Sequence, residues 1–321
     1  MSCAVTVVIP VLNEAAALPR LLAALKAQTL RPREVLIADA GSTDGSAAAI
    51  ERWWRAERWE GGDCRVLAVP GAMPGAGRNA GVRAAAHEWI VFLDAGIDPE
   101  PTWLERLCDY AQCRNVRAVF GLCRFAADGA FERAVCALSH GQGTAHSVVP
   151  ASLFHRRVFD EIGWFPEHLR AAEDLNWSDR LTARYGPREI CADAVVHYAH
   201  FPTSWLSALR KWKLAEYSSV IAGVRMWRQI PYLIGFPLVY AALLSGTVMG
   251  AVLFILYVMV RGVVDPVRRS EERRWWGRHA GAIVIAPPLA LLLDGAKMAG
   301  ILQGCAARVF GSPTGPGVTA G

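Results

Sequence analysis

The chain has 321 residues, of which 53% are hydrophobic and 20% charged, and it carries a formal net charge of +5. That length admits one large domain, or one domain with an appendage, and so small a charge does not by itself mark a nucleic-acid binder. The eight cysteines, at 3, 64, 108, 113, 123, 136, 191 and 305, include no C-x-x-C pair. Cys108 and Cys113 lie five apart without neighbouring histidines, which is poor zinc spacing. They are expected to be reduced cytosolic thiols, mostly filling the core.

Strands and helices alternate up to about residue 95, the pattern of an α/β domain with a parallel sheet. Val5-Thr-Val-Val-Ile-Pro10 reads as a buried first strand, entered almost at once with no signal peptide before it, so the domain is expected to stay in the cytoplasm. Asn13 can cap a helix whose apolar face is Leu18, Leu21, Leu22 and Leu25. Glu34-Val-Leu-Ile-Ala38 is a second strand, and Asp39 closes it. Ser42, Thr43 and Ser46 can cap the helix that runs into Trp53 and Trp54. Cys64 to Val69 is a third strand, followed by the loop Pro70-Gly-Ala-Met-Pro-Gly-Ala-Gly77. That loop follows the third strand and its glycines miss the G-x-G-x-x-G spacing; no Walker lysine is present either. Dinucleotide and P-loop chemistry are therefore rejected. Trp89-Ile-Val-Phe-Leu93 is a central fourth strand closed by Asp94. A helix begins at Pro99 or Pro101, and residues 116–125 form another strand.

Composition changes after residue 200. Ile230 to Val260 contains no charged residue, long enough to cross a bilayer core of about 30 Å with tilt. A second stretch, Ala280 to Leu293, is short and interrupted by Pro287-Pro288. The segment before the first run interleaves Arg210, Lys211, Lys213, Arg225 and Arg228 with Trp205, Trp212, Tyr217 and Trp227, and residues 261–278 are basic too. Basic and aromatic flanks beside an apolar run favour lipid headgroups over nucleic acid. A single crossing at 230–260 would separate the two basic segments, which conflicts with the positive-inside rule; a re-entrant hairpin would resolve this, but 31 residues are short for two full crossings. The expected organisation is a domain over 1–203, a basic and aromatic interface region over 204–229, membrane segments within 230–304 (about 230–260 and 280–303), and a tail over 305–321 whose last ten residues look disordered.

Four blocks carry the chemistry. They are Val8-Ile-Pro-Val-Leu-Asn13-Glu14, Asp39-Ala-Gly-Ser-Thr-Asp44-Gly-Ser46, the pair Gly77-Arg78-Asn79 with Asp94-Ala-Gly96-Ile-Asp98, and Glu173-Asp174 ahead of Arg180. An acid closing a parallel strand, followed by a Gly/Ser/Thr turn, is where open α/β sheets bind nucleotides. In this order, and over residues 4–200, the blocks resemble the inverting family 2 glycosyltransferases of the GT-A fold.

The resemblance implies hexosyl transfer from a nucleotide-sugar donor. It places Pro10, Asn13, Glu14 and Asp39 on the nucleotide, and Arg78 and Asn79 near the diphosphate. Asp94 opens the family's D-x-D metal motif. Here Gly96 stands where the second acid belongs, so a Mg²⁺ or Mn²⁺ site at Asp94, with Asp98 substituting, is expected to be weaker than usual but not absent. Asp174 is the expected base, Glu173 its supporting neighbour, and Arg180 belongs to the helix that follows. His197 and His200 can bind metal or phosphate, or be structural. Plainer roles stay open: caps for Asn13, Asp39 and Asp98, a solvated first turn for Arg78 and Asn79, and a capping pair for Glu173 and Asp174. The expected protein is a membrane-associated enzyme of envelope glycan or glycolipid synthesis, its catalytic domain on the cytoplasmic face of the plasma membrane. Its acceptor is lipid-linked or membrane-proximal, since tethering concentrates such a substrate. The alternative is a non-catalytic, nucleotide-sugar-binding scaffold subunit.

Overall fold

The first strand, β1 (Val5–Val11), is buried on both faces, which is why its sequence is an unbroken apolar run rather than an alternating one. It opens a computed structural model that describes residues 3–224 and 230–311. The order continues α1 (Leu18–Lys26), β2 (Glu34–Asp39), α2 (Ser46–Glu57), β3 (Asp63–Ala68), α3 (Pro74–Ala84), β4 (Trp89–Phe92) and β5 (Ile97–Pro99). Then come α4 (Trp103–Arg114), β6 (Ala118–Phe125), α5 (Ala130–Ser139), β7 (Ala145–Ser147), β8 (Leu153–His155), α6 (Arg157–Ile162), α7 (Glu173–Tyr185) and β9 (Ile190–Tyr198). The C-terminal helices are α8 (Trp205–Ala222), α9 (Ile230–Leu244), α10 (Val248–Met259), α11 (Asp265–Arg269) and α12 (Gly281–Phe310), with a π-helical turn at Val260–Val264.

The chain divides into two compact units, Met1–Ala126 with Gly143–His200, and Ala127–Gln142 with Phe201–Gly321. The first is a mixed sheet in the order β3-β2-β1-β4-β8-β6-β9-β5, with β7 beside β6. The strands β1 to β4, β6 and β9 run one way, and β5, β7 and β8 run against them. The C-terminal ends of β1, β2 and β4 therefore share one edge, which is where Asn13, Asp39 and Asp94 emerge. The apolar face of α1 is the expected one: Leu18, Leu21, Leu22 and Leu25 are buried. Asn13 is not its cap, however; α1 begins later, behind Ala17.

α3 lies on β1 and β2 because it is glycine-rich on that face. A Cβ on Gly81 would overlap Val8, and one on Gly77 would stand 3.3 Å from Pro10 Cβ. Below the sheet edge sits an aromatic core of Phe92, Phe154, Phe159, Phe165 and Trp177. Cys123 is buried too, and burial pushes its thiol up to about 12, so it is an inert filler.

At the opposite edge, Glu34 is buried and accepts from Thr6 Oγ1 (2.7 Å), Ala86 N (2.8 Å) and Arg65. Burial pushes its carboxyl up, but these donors outweigh it and hold it below the usual range. A depressed carboxylate stabilises the fold above its unfolded value and loses that contribution as pH falls through the folded one. Glu34→Gln is expected to lower stability at pH 7 by about 1–3 kcal/mol. The difference from wild type should shrink as pH falls below about 4, which denaturant titrations at several pH values check.

The second unit gathers α5 and the C-terminal helices. α5 buries Arg133, Val135, Cys136 and Leu138, and its Phe131 ring stands 5.3 Å from Trp205 of α8. α8 starts at a capping box on Ser204 and packs along α12, where Gly300 and Gly304 admit the backbone of Lys213 and the side chain of Val220. The run 230–260 is not one helix, contrary to the expectation. It turns at Ser245–Thr247, with Gly246 at φ +66°, into the hairpin α9–α10. Nor is the second stretch broken: α12 runs 30 residues through both prolines, and Gly262 packs on Pro287. Val248–Arg269 and Gly281–Phe310, with mean hydropathy 2.0 and 1.6, are long and apolar enough to cross a membrane. The tail expected from 305 begins instead as the last turns of α12. Its final ten residues, like Arg225, Trp227 and Arg228, lie outside the described residues.

Candidate active site

The turns after β1 and β2 are stitched together. Asp39 Oδ1 accepts from Gly41 N (3.2 Å), Ser42 N (2.9 Å) and Ser42 Oγ (2.7 Å), an Asx-type turn that holds the loop open at the strand end. Ser42 Oγ in turn accepts from Asn13 N (2.9 Å), and Asn13 Oδ1 accepts from Thr43 N (2.8 Å). Asn13 sits at φ +59°, a left-handed conformation that asparagine tolerates. Ser46 Oγ accepts from Glu14 N, and Asp44 accepts from Ala15 N and Ser46 N. The helix α2 is thus tied by Asp44, not by Ser42 or Thr43; Asp44 was legible only as part of the turn. Pro10, on the sheet edge, packs on Gly77.

Arg78 is the hub. Its guanidinium is almost wholly buried, donates to Asp94 Oδ1 at 2.8 Å and to Glu173 Oε1, and so links the end of β4 to the start of α7. Gly75, one turn earlier on α3, leaves room for Glu173: a Cβ there would stand 3.3 Å from Glu173 Cγ. α7 is fixed from beneath by Trp177, one turn beyond Glu173. Its ring stacks on Phe165 (4.8 Å) and Phe159 (5.1 Å), and its Nε1 donates to Gly163 O (2.9 Å). Asp174, half-buried beside Glu173, accepts from Leu175 N (2.8 Å).

Arg78 and Asn79, expected near the diphosphate, are engaged otherwise, and so is Arg180 of α7. Arg78 is spent on the two carboxylates. Asn79 is fully buried, donating to Phe165 O and Glu167 Oε1 (both 2.9 Å) and accepting from Phe165 N. Arg180 donates to Ile162 O (2.7 Å) and Trp164 O (2.6 Å). Asn79 and Arg180 fasten the segment 162–167 that supports α7. Asp98, expected to substitute in the metal set, has its carboxylate bonded to Arg20 at 2.6 Å in an exposed pair. It lies inside β5, paired with His197, and is not a helix cap. Gly96 has a neighbour the sequence did not reveal: a Cβ there would stand 3.1 Å from the His200 ring. His197 instead bonds Glu100 at 3.0 Å.

The electrostatics follow from this crowding. Burial pushes the Glu14 carboxyl up, and Asp94 and Asp44 add to it. Burial likewise raises Glu173; Arg78 opposes this and Asp174 reinforces it. Burial disfavours the Arg78 charge, but Asp94, Glu173 and Asp174 overcome it and lock the proton on. Asp44, Glu14, Asp94, Glu173 and Asp174 are thus electrostatic neighbours in series, and Arg78 is the cation among them. Such an acidic crevice repels a diphosphate unless a further cation accompanies it. Among the described residues no group of three His, Cys, Asp or Glu could hold a metal alone. The donors fit an ion shared with substrate phosphates and water, the mode magnesium prefers.

A cavity of about 1330 Å³ lies elsewhere, lined by Ala4, Trp89, Ala118, His155 and Arg188. It opens at the N-terminal ends of the parallel strands, whereas open α/β sheets bind ligands outside the C-terminal ends, so the stitched turns and the Arg78 hub are the candidate site.

Residues 6–163 match the family model described as Glycosyl transferase family 2. That stretch, just under half of the chain, is identified as similar to the family 2 glycosyltransferases. Among curated proteins it is similar to Glycosyltransferase AglE of Haloferax volcanii, 28% identical over 190 residues, covering 56% of this chain and 61% of that one. It is also similar to the Pre-mycofactocin glycosyltransferase of Mycobacterium tuberculosis, 31% identical over 194 residues, covering 55% of this chain and 38% of that one. The aligned stretch is thus less than two thirds of either relative. Among solved structures, the mannosyltransferase PcManGT of Pyrobaculum calidifontis, in complex with GDP-Man and Mn²⁺, gives a TM-score of 0.59 at 18% identity, covering 96% of this chain and 87% of that one. S. aureus TarS 1–349 gives 0.50 at 14% identity, covering 96% and 92%. These two likenesses establish the GT-A type of fold for the glycosyltransferase domain. The expected fold class is therefore correct.

Proposed function

We propose that the protein transfers a hexosyl group, with inversion, from a nucleotide-sugar donor to a lipid-linked or membrane-proximal acceptor, in envelope glycan or glycolipid synthesis. The observation that carries this is the Arg78 hub, which joins the strand-ending acid Asp94 to the acidic start of α7. Asp39, whose Oδ2 has no protein partner among the described residues, faces the nucleotide with Asn13, Glu14 and Pro10. Asp174 accepts the acceptor proton as its oxygen attacks the anomeric carbon. The bond to the diphosphate breaks, and its electron pair leaves with the nucleoside diphosphate. Glu173, held by Arg78, positions Asp174 rather than taking the proton itself. Asp94, with the His200 imidazole beside Gly96, would hold a Mg²⁺ or Mn²⁺, and such an ion would neutralise charge on the leaving diphosphate. The apolar second unit attaches the domain to the cytoplasmic face of the plasma membrane.

A screen of nucleotide sugars for thermal stabilisation, with and without Mn²⁺, tests this reading. One donor should stabilise the protein, and only with the cation, because binding to the native state alone raises its melting temperature. If none does under either condition, the proposal fails. Asp39→Ala should weaken the selected nucleotide about tenfold in calorimetric titration, the scale of a lost charge-assisted hydrogen bond. Unchanged affinity would remove Asp39 from the pocket. Gly96→Asp adds a carboxylate that displaces the exposed His200 ring by a few tenths of an ångström. It should lower the Mn²⁺ concentration needed for donor stabilisation by roughly tenfold, since ligand charge tunes such sites. An unchanged requirement would show that position 96 does not reach the ion.

A further inference from the structure

We infer that the α9–α10 hairpin is a re-entrant membrane wedge: it enters one leaflet of an anionic bilayer and returns to the same face without crossing. This rests on the membrane attachment proposed above. Residues 230–260 contain no charge. The hairpin exposes its apolar side chains outward, with Leu244 and Val248 each 83% exposed and Met249 67% at the tip. The two legs hold each other through Tyr240 and Phe254, whose rings are 5.9 Å apart, and through Gly250, which packs on Ala242 O.

The tip closes its own hydrogen bonds. Ser245 Oγ donates to Ala242 O (2.7 Å) and pairs with Thr247 Oγ1 (2.9 Å), which accepts from Gly250 N (3.0 Å). A turn satisfied in this way can sit in hydrocarbon, where unsatisfied backbone groups cannot.

The uncharged legs are too short to cross: the helical stretch that starts at Val248 continues to Arg269, but Arg261 and Asp265 interrupt its apolar part. α9 has 15 residues, a rise of about 22 Å. From Val248 to the first charge, Arg261, the second leg rises about 20 Å, against a core of about 30 Å. The hairpin ends at a floor of charge. Arg261 forks onto Asp294 through two bonds of 2.7 Å and reaches Asp265 at 2.9 Å; Tyr257 donates to Asp294 at 2.7 Å; Lys297 donates to Tyr232 at 3.3 Å. Both legs meet this polar layer, so it marks the depth at which the wedge leaves the hydrocarbon. Re-entry also puts Arg210, Lys211 and Lys213 on the same face as Arg268, Arg269, Arg273, Arg274 and Arg278. The conflict of a single crossing disappears, and all of these charges can meet anionic headgroups.

The test uses the full chain in inverted membrane vesicles of the expressing cell, whose cytoplasmic face points outward. A membrane-impermeant maleimide is applied to Thr203→Cys, Arg273→Cys, Leu244→Cys and Val248→Cys, and peptide mass spectrometry reads each new position separately from the native thiols. Positions 203 and 273 should label alike. Positions 244 and 248 should label at least about tenfold less until detergent is added, and the same holds in vesicles of opposite orientation. Label at 203 with protection at 273 would overturn re-entry while leaving membrane attachment standing. So would label at 244 and 248 from the far side. Full label at all four positions, with release of the chain by salt, would overturn the membrane reading itself.

Discussion

Asp174→Asn is expected to lower turnover by about two to four orders of magnitude while leaving donor affinity nearly intact, the usual consequence of losing a general base. The geometry favours Asp174 over its neighbour. Glu173 is buried and engaged by Arg78, whereas Asp174 is half-buried at the start of the same helix. Burial and the adjacent Asp174 hold the Glu173 carboxyl high, and Arg78 opposes them. Glu173→Gln should therefore alter stability and the pH profile more than the chemical step. Steady-state kinetics with the donor chosen by the stabilisation screen separate the two variants. Near wild-type turnover in Asp174→Asn would reassign the base.

Arg78→Met is expected to destabilise the protein by about 3–5 kcal/mol, because it leaves Glu173 as a buried charge without its partner. Arg78→Lys should not rescue it: a single ammonium cannot serve Asp94 and Glu173 with the fork geometry of a guanidinium. Combining Arg78→Met with Glu173→Gln should recover part of the loss, so the double variant is less damaged than the two single losses added together. Thermal unfolding of the wild type and these four variants decides it. An unchanged melting temperature in Arg78→Met would mean that the hub does not hold β4 to α7.

The strands and the first helices were legible because both faces of β1, β2 and β4 are buried, and the helices present apolar stripes of period 3.6. The end of β2 was legible for a different reason: an acid followed by Gly, Ser and Thr closes a strand in a turn, as Asp39 does with Gly41 and Ser42. What the sequence concealed are partnerships across long separations. Arg78 and Asn79 are polar residues at a helix start, and nothing local distinguishes a ligand for phosphate from a tie to Glu173 or Phe165. Asp98 and Arg20 are 78 residues apart, and the ring of His200, just past the neighbouring strand β9, covers Gly96. The helix α5 was missed, although Phe131, Val135 and Leu138 repeat at helical spacing. The turn at Ser245–Thr247 was hidden by an apolar run whose hydropathy does not reveal where a chain reverses; Gly246 between two hydroxyl residues was the available signal.

The central claim, sugar transfer at the Arg78 hub, is tested most directly by a radiolabelled nucleotide sugar offered to membranes holding the full chain. The lipid extract is counted for wild type and for Asp174→Asn. Label is expected in the lipid extract with wild type, released as a sugar of inverted anomeric configuration, and almost none with the variant. A donor that binds and stabilises the protein, yet stays intact with wild type in the presence of Mn²⁺, would contradict it and identify the chain as a nucleotide-sugar-binding subunit.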